Sequence, residues 1–263
     1  MKKIMILGDT GLVGRHLLKE FERDYEIIGL SRSMALFDHK HVSFDLEKDS
    51  IVPVLERFQP DIFISCTRGS FEHQLMCHQD IVNYGNVNEM MLYYYSTANV
   101  FDGDPKEIKD ESSPLNAKSE YGVFKARCEE IIVSFVNGRI IRLPMVVAKE
   151  SPRMNQIRNA HLEKITIYDN LYLSLILASQ IAKLQREVIE KNLKGIFHFA
   201  SADIIKQQEL YESLVKNKDD LDIQPLEEYY LAIVPTRKDI EATFYIKDIM
   251  SELMDDWKGH YER

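Results

Sequence analysis

The stretch from residue 3 to residue 14, KIMILGDTGLVG, most constrains what this chain can fold into. Four apolar residues end at Gly8, two further glycines follow at 11 and 14, and a helical apolar pattern begins at Leu12. A buried strand, a tight turn and a helix are therefore predicted in that order. Glycines at this spacing let a pyrophosphate approach the backbone and let the helix pack on the strand. Because a helix N-terminus also offers unpaired amides and a favourable dipole, the turn predicts a dinucleotide-phosphate site.

Composition excludes several classes of function. The chain carries 42 acidic and 33 basic side chains, a formal net charge of −9, and contains no basic run, so we expect neither a nucleic-acid surface nor an anionic membrane surface. Its apolar runs are too short for a bilayer span and its N-terminus lacks a signal-peptide pattern, which predicts a cytoplasmic protein. The three cysteines are not paired in spacing. No metal site is predicted, because metal-ligand spacing is missing from His73, His78, His161 and His198.

Short apolar runs alternate with amphipathic segments up to residue 143. Strands are predicted at 26–30, 41–44, 61–65, 90–95 and 139–143, and helices at 50–58, 71–88 and 119–136. This alternation predicts an α/β fold of the Rossmann type, a doubly wound parallel sheet with helices on both faces. Residues 1–150 are therefore assigned to a dinucleotide-binding domain.

After residue 150 the alternation loosens. Helices are predicted at 170–193 and 207–215, strands at 195–200 and 229–234, and a charged turn at 217–222. Residues 151–263 are therefore expected to form a smaller mixed α/β substrate lobe over the carboxyl edge of the sheet, where ligands of such folds bind. No Gly/Ser-rich linker separates the two parts, which leaves strand exchange between them open.

A second constellation lies in the helix predicted at 119–136. Tyr121 and Lys125 are four positions apart and therefore share one helix face. A free tyrosine has a pKa of about 10, and a neighbouring ammonium lowers it by favouring the phenolate. Such a phenol can exchange a proton with a carbonyl or an alcohol. Thr97 follows the fifth strand and is predicted to place a hydroxyl at the same sheet edge.

Six segments of the chain resemble the extended short-chain dehydrogenases/reductases, and within them the dTDP-4-dehydrorhamnose reductase-like, sugar-nucleotide-binding branch. In the order of that family they are GDTGLVG (8–14), PDIFISC (60–66), STANVFDG (96–103), YGVFK (121–125), RIIRLP (139–144) and GIFHFA (195–200). The resemblance implies an NAD(P)H-dependent oxidoreductase that reduces a keto group on a small nucleotide-linked sugar. It also implies that Thr97, Tyr121 and Lys125 form the catalytic triad.

The turn, the strand ends and the resemblance together give an expected set of binding residues. The expected cofactor-binding residues are Gly8, Thr10, Gly11, Leu12, Val13, Gly14, Ser31, Arg32, Asp45, Leu46, Cys66, Thr67, Arg68, Tyr121, Lys125, Leu143, Pro144 and Met145. The expected substrate-binding residues are Thr97, Asn99 and Arg237. Arg32 follows the second strand, where an arginine accommodates a ribose 2′-phosphate, so NADP(H) is predicted over NAD(H).

Several residues near the expected substrate depart from the family pattern. Ala98 and Asn99 stand where an acid and an aromatic residue are usual, and Arg68 and Phe71 interrupt a run of small residues. These departures leave two alternatives open: a non-catalytic, dinucleotide-binding regulatory subunit, and a sugar-nucleotide epimerase or dehydratase. Helices of this family often pair in dimers, and the sequence alone leaves a homodimer open.

Overall fold

The computed structural model describes residues 1–33 and 39–255. The strands, in chain order, are β1 (Lys3–Leu7), β2 (Glu26–Ser31), β3 (Lys40–Ser43), β4 (Ile62–Ser65), β5 (Met91–Thr97), β6 (Gly138–Leu143), β7 (Met145–Val147), β8 (Ile165–Tyr168), β9 (Leu171–Leu173), β10 (Leu175–Leu177), β11 (Gly195–His198), β12 (Ile205–Lys206), β13 (Leu221–Gln224) and β14 (Tyr229–Leu231). The helices are α1 (Leu12–Phe21), α2 (Val52–Phe58), α3 (Phe71–Asn88), α4 (Glu120–Val133), α5 (Pro152–Arg158), α6 (Ala178–Glu190), α7 (Gln207–Leu214) and α8 (Ile246–Asp255).

The central sheet has seven parallel strands in the order β11-β6-β5-β4-β1-β2-β3. The chain begins in the middle of this sheet, builds β2 and β3 on one side of β1, and then crosses to the other side for β4, β5 and β6. The strand order therefore reverses beside β1, and the carboxyl end of such a reversal is where parallel α/β sheets bind ligands. The Rossmann-type fold predicted from the sequence is confirmed.

Both faces of the sheet are buried. Along β1, Ile4 and Ile6 pack with α1 and α6 on one face, whereas Met5 and Leu7 pack with α2, α3 and α4 on the other. An apolar run without alternation is what a strand covered on both faces requires. The two helical layers therefore hold β1 rigidly, and with it the glycine turn that follows.

The helix predicted at 170–193 is wrong in its first half. Residues 171–177 form β9 and β10, and α6 begins only at Ala178. The run LYLSLIL is apolar except at Ser174 and continues directly into an amphipathic helix, so its periodicity does not separate strand from helix. Contacts with distant parts of the chain make these residues strands. Strand β10 pairs with β7, and the buried Ser174 hydroxyl accepts the Ile233 amide at 3.1 Å.

Other elements after residue 150 follow the prediction more closely. The helix at 207–215 and the strands at 195–200 and 229–234 appear with slightly shorter bounds as α7, β11 and β14. The predicted charged turn at 217–222 includes a short 3-10 helix, but its end enters β13, which pairs with β8. Residues 256–263 of the predicted second lobe lie outside the described residues.

Two elements beyond residue 150, one strand and one helix, pack with the large sheet and its helices. Strand β11 extends it beside β6, and α6 packs against α1, where Arg186 forms ion pairs with Glu20 at 2.6 Å and Asp24 at 2.9 Å. The rest of this half has a separate apolar core that includes Ile167, Leu175 and Leu210. A division at residue 150 stays a prediction. Both α6 and β11 follow this position in the sequence, but they pack against elements that precede it. None of the helices in 1–33 and 39–255 has the length and apolar character of a bilayer span.

We expect Ile181→Ala to destabilise the protein, because Ile181 is fully buried in α6 against the sheet. Truncation of a buried isoleucine to alanine costs about 2 to 5 kcal/mol in the free energy of unfolding. Denaturant unfolding followed by circular dichroism measures it. Lys183→Ala, at an exposed position of the same helix, is the control and should change stability by less than about 0.5 kcal/mol. Equal effects of the two substitutions would contradict the packing of α6 on α1.

Candidate active site

The glycine turn after β1 is packed too tightly for side chains at two positions. Gly8 has a φ of +95°, and a Cβ atom there would lie 3.0 Å from backbone atoms of Cys66 and Thr67. A Cβ atom on Gly14 would overlap the carbonyl oxygen of Gly8. The turn therefore brings the end of β4 and the first turn of α1 into contact with the end of β1.

The first turn of α1 has the features of an anion site. Gly11 is its N-cap, and within the described residues no side chain caps it and no acidic residue lies in its first turn. The leading amides of a helix have no acceptor within the helix, and the helix dipole favours a negative group there. A cradle that a Cβ atom would fill, closed by free amides, fits the phosphates of a dinucleotide.

The end of β2 borders the same turn. The Thr10 hydroxyl donates to Ser31 Oγ at 3.1 Å, and the Ser31 hydroxyl is within 3.3 Å of the Ser33 carbonyl. Arg32 is exposed. The amide of Glu47, and more weakly Arg32, lower the pKa of Asp45. The Arg32 guanidinium therefore acts electrostatically on the Asp45 carboxylate, which follows β3.

The loop after β4 lines the other side of the turn. Cys66 Sγ donates to the Leu7 carbonyl at 3.4 Å, and burial raises the pKa of this thiol to about 12, so it stays protonated. Thr67 is half-buried and Arg68 is exposed. A Cβ atom on Gly69 would lie 4.0 Å from the Leu46 side chain. The predicted residues after β3 and β4 therefore meet at the edge of this loop.

Thr97 is the last residue of β5 and is held by its own turn. Its hydroxyl donates to Asn99 Oδ1 at 3.0 Å and accepts the Asn99 amide at 3.3 Å. It thereby caps the short 3-10 helix Ala98–Phe101. Asn99, which was predicted to bind substrate, therefore orients the Thr97 side chain in the structure.

The start of α4 is anchored to that 3-10 helix by residues that the sequence analysis did not single out. Asp102 accepts the Lys118 amide at 2.6 Å, the Ser119 amide at 3.1 Å and the Ser119 hydroxyl. A Cβ atom on Gly122 would overlap the Asn99 carbonyl oxygen. These contacts press the first turn of α4 against the end of β5. A serine at the first position of the predicted helix 119–136 is an N-cap signal, whereas nothing local marks Asp102 as its partner.

Tyr121 lies in this first turn, with 41% of its surface exposed. Its ring centroid is 6.2 Å from that of Phe71. Partial burial raises the pKa of Tyr121, and the Arg68 guanidinium and a hydrogen bond with Thr97 oppose that rise without cancelling it. The expected lowering of this pKa by Lys125 is therefore not found. The phenol keeps its proton at neutral pH, and Arg68 is the cation that acts on it.

Lys125 is on the same face of α4 but points to the strand. It is 6% exposed, its Nζ donates to the Tyr95 carbonyl at 2.8 Å, and it lies 4.6 Å above the Tyr94 ring. Burial lowers the pKa of Lys125 to about 8, and the nearby Cys128 and Glu129 only partly offset this effect. The ammonium is thus fixed two residues before Thr97, at the end of β5.

The remaining predicted residues divide between two ends of the sheet. Leu143 pairs with Thr97 in the sheet register, and Pro144 leads from it to Met145 at the start of β7, so these three lie at the carboxyl edge. Arg237 does not. It donates to the Lys194 carbonyl at 2.6 Å, at the amino end of β11, and pairs with Asp239. The structure therefore does not bring Arg237 to the candidate site.

Comparison with known proteins agrees with this arrangement. The family model described as RmlD substrate binding domain matches residues 1–230. The chain belongs to this family. Among curated proteins, methionine adenosyltransferase 2 subunit beta of Danio rerio is 24% identical over 237 residues, which are 80% of this chain and 72% of that protein.

Two solved structures show the same fold over nearly the whole chain. A dTDP-4-dehydrorhamnose reductase of Bacillus anthracis in complex with NADP superposes with a TM-score of 0.78 at 15% identity, covering 97% of this chain and 100% of that one. A dTDP-glucose 4,6-dehydratase of the same organism in complex with NAD gives a TM-score of 0.83 at 14% identity, covering 100% and 98%. At these identities the similarity establishes the fold.

The buried Lys125 predicts a pH dependence of stability. Its pKa is about 8 in the folded protein, against an ordinary value of 10.5. Between these values the unfolded chain binds more protons, so the contribution of Lys125 to the free energy of unfolding rises with pH, by at most about 1.4 kcal/mol per pH unit. Lys125→Met should lose this rise.

Urea unfolding at several pH values between about 8 and about 10.5, the window set by the two pKa values, measures the effect. The stability of the wild type relative to Lys125→Met should increase across the window. Lys183→Met, at an exposed position, corrects for the general response of the fold to pH. A relative stability that is flat or falls with pH would contradict the lowered pKa of Lys125.

Proposed function

We propose that this protein is an NADP(H)-dependent reductase of a keto group on a nucleotide-linked sugar. The observation that carries the proposal is the meeting of two constellations at one sheet edge. The glycine turn follows β1, while Thr97, Tyr121 and Lys125 surround the end of β5, two strands away. A site for dinucleotide phosphates and a proton-donating phenol at the same edge are what hydride transfer to a carbonyl requires.

The binding residues follow from this placement. The α1 amides and the glycine turn would hold the pyrophosphate, and the ends of β2 and β4 would border the rest of the dinucleotide. When bound, the nicotinamide supplies the hydride. Lys125, fixed at the Tyr95 carbonyl, would bond the ribose beside it.

The side chains then complete the reduction of the carbonyl. As the carbonyl carbon is reduced, the Tyr121 hydroxyl would donate its proton to the carbonyl oxygen. The raised pKa of Tyr121 suits a general acid, because the proton is present at neutral pH. Thr97 would orient the substrate oxygen by turning its hydroxyl proton, which it donates to Asn99 Oδ1 in the structure, toward that oxygen. Because Tyr121 is 41% exposed, the phenolate left behind can regain a proton from solvent.

The substrate class rests on relatives. The family model is that of a domain named for substrate binding in this branch, and a structural neighbour is a dTDP-4-dehydrorhamnose reductase. A nicotinamide dinucleotide is the cofactor of the two solved neighbours. The preference for NADP(H) is supported by Arg32, which directly follows β2, where an arginine accommodates a ribose 2′-phosphate.

A second candidate is a non-catalytic subunit of another enzyme. It is favoured by the similarity to methionine adenosyltransferase 2 subunit beta over 80% of this chain. The changed residues beside Thr97 also fit it. Against it stand Tyr121 and Lys125, which a binding subunit does not need. An epimerase or dehydratase, like the neighbour with NAD, would use the same fold but would leave NADPH unconsumed.

Tyr121→Phe should abolish the oxidation of NADPH by keto-sugar nucleotides, because the variant has no hydroxyl proton to give. Loss of a general acid lowers the rate by about 100-fold to 10,000-fold. Absorbance of NADPH measures turnover, and fluorescence titration should find its affinity nearly unchanged. Tyr168→Phe, with a similarly exposed tyrosine on β8, is the matched control and should keep full activity.

Three outcomes of this assay separate the candidates. Turnover that survives in Tyr121→Phe would show that another group gives the proton. Binding of NADPH without turnover of any keto-sugar nucleotide, together with stable association with a methionine adenosyltransferase catalytic subunit, would favour the regulatory candidate. Product formation without NADPH consumption would favour the epimerase or dehydratase.

Arg32→Ala should lower the affinity for NADPH by roughly tenfold and leave that for NADH nearly unchanged, because a charged hydrogen bond to the 2′-phosphate is lost. Isothermal titration with each cofactor measures the difference. Arg23→Ala, at another exposed arginine near the end of α1, is the control and should alter neither affinity. An equal loss for both cofactors would count against a 2′-phosphate contact.

A further inference from the structure

Three side chains converge behind the glycine turn, on the side away from Thr97. Asp9 belongs to the turn, His39 immediately precedes β3, and His41 lies within β3. Asp9 Oδ2 lies 3.1 Å from Nε2 of His39 and 2.9 Å from Nδ1 of His41. One donor atom from each residue lies within 4.8 Å of the other two. This Asp9–His39–His41 cluster has no part in the mechanism proposed above.

Strand β2 leaves space for this cluster. Gly29 is the register partner of His41 in the sheet. A Cβ atom on Gly29 would overlap the Asp9 carboxylate and lie 2.5 Å from Nε2 of His39. No other residue at this position would let the carboxylate and the imidazoles approach each other. The cluster therefore occupies a space formed inside the sheet layer and is not a chance meeting of surface side chains.

Hydrogen bonds alone leave the Asp9–His39–His41 cluster incomplete. Asp9 is fully buried, and its Oδ1 has no hydrogen-bond partner in the part of the chain that the structure describes. Both imidazoles would have to donate to the same oxygen, Oδ2. A fully buried carboxylate oxygen without a hydrogen-bond partner costs free energy. A cation at the centre removes this cost.

We propose that Asp9, His39 and His41 bind a divalent transition-metal ion, with zinc as the representative case. Two imidazoles and a carboxylate are ligands that zinc and its neighbours prefer, whereas magnesium and calcium prefer oxygen ligands alone. Ligands about 2.0 to 2.1 Å from a tetrahedral zinc ion lie roughly 3.3 Å apart. The two contacts of Asp9 Oδ2 need to lengthen by only a few tenths of an ångström to reach this spacing.

The position of the site indicates a structural role. It joins the turn between β1 and α1 to β3, the last strand of the sheet, which pairs only with β2 among the strands that the structure describes. Thr97 lies at the end of β5, two strands from β1 in the other direction. The ion would therefore fix the edge strand and the turn and would not touch the reacting carbonyl.

Titration of the untagged, chelator-treated full chain with Co²⁺ tests the site directly, since no cofactor or activity is involved. We expect one equivalent to bind with the strong visible absorption of four-coordinate cobalt, and zinc to displace it. Zinc should also raise the melting temperature, because an ion that binds only the folded state stabilises it. Absence of stoichiometric binding, or the weak spectrum of hydrated cobalt, would overturn the proposal.

Substitution of the ligands identifies the residues that bind the ion. Asp9→Asn and His41→Ala should weaken zinc binding by more than about 100-fold, because losing even an outer partner of a metal ligand costs 10-fold to 100-fold. His161→Ala, which removes an exposed histidine, is the control and should bind zinc like the wild type. Binding that is unchanged in both ligand variants, or equally reduced in the control, would overturn the assignment. The wild-type cobalt spectrum decides the question even where a variant fails to fold.

Discussion

The close approach of three backbone segments around the glycine turn is the constraint on which the candidate site depends. Gly8 faces the end of β4 with no space for a Cβ atom, and Gly14 lies directly against the Gly8 carbonyl. These contacts fix β1, β4 and α1 relative to one another before any ligand arrives. The amides at the start of α1 are therefore already fixed in position, and binding of a ligand does not incur the entropy cost of ordering the turn.

A second contact places the reactive side chains against that frame. Gly122 lets the first turn of α4 lie on the Asn99 carbonyl, and Asp102 holds the two amides before the helix. Two cations then act in different ways. Lys125 is buried on the strand and has a lowered pKa, whereas Arg68 stays exposed and opposes the rise in the Tyr121 pKa. Lys125 is thus held in position at the end of β5, whereas Arg68 acts electrostatically on Tyr121. A sequence motif alone does not distinguish these two roles.

The sequence was informative where local pattern and chemistry coincide. Apolar runs between turn residues located the central strands, and the spacing of Tyr121 and Lys125 put both on one helix face. It failed where distant partners decide. The run 171–177 became two strands because β7, β12 and β14 pair with it. Arg237 lies at the amino end of β11, a position that depends on contacts distant in sequence. The Asp9–His39–His41 cluster is brought together by the packing of β3 beside β2 and the glycine turn, so no spacing rule reveals it.

The packing of α6 on α1 has a consequence for how the chain folds during synthesis. Leu17, Leu18 and Phe21 of α1 are buried, and α6, more than 150 residues later, provides much of their cover. Until the ribosome has released residues 178–198, this apolar face of α1 and the unpaired edge of β6 stay exposed. The nascent amino-terminal half therefore exposes apolar surface of the kind that makes partly folded chains prone to aggregation, and the glycine turn is held by both helical layers only after α6 has packed on α1.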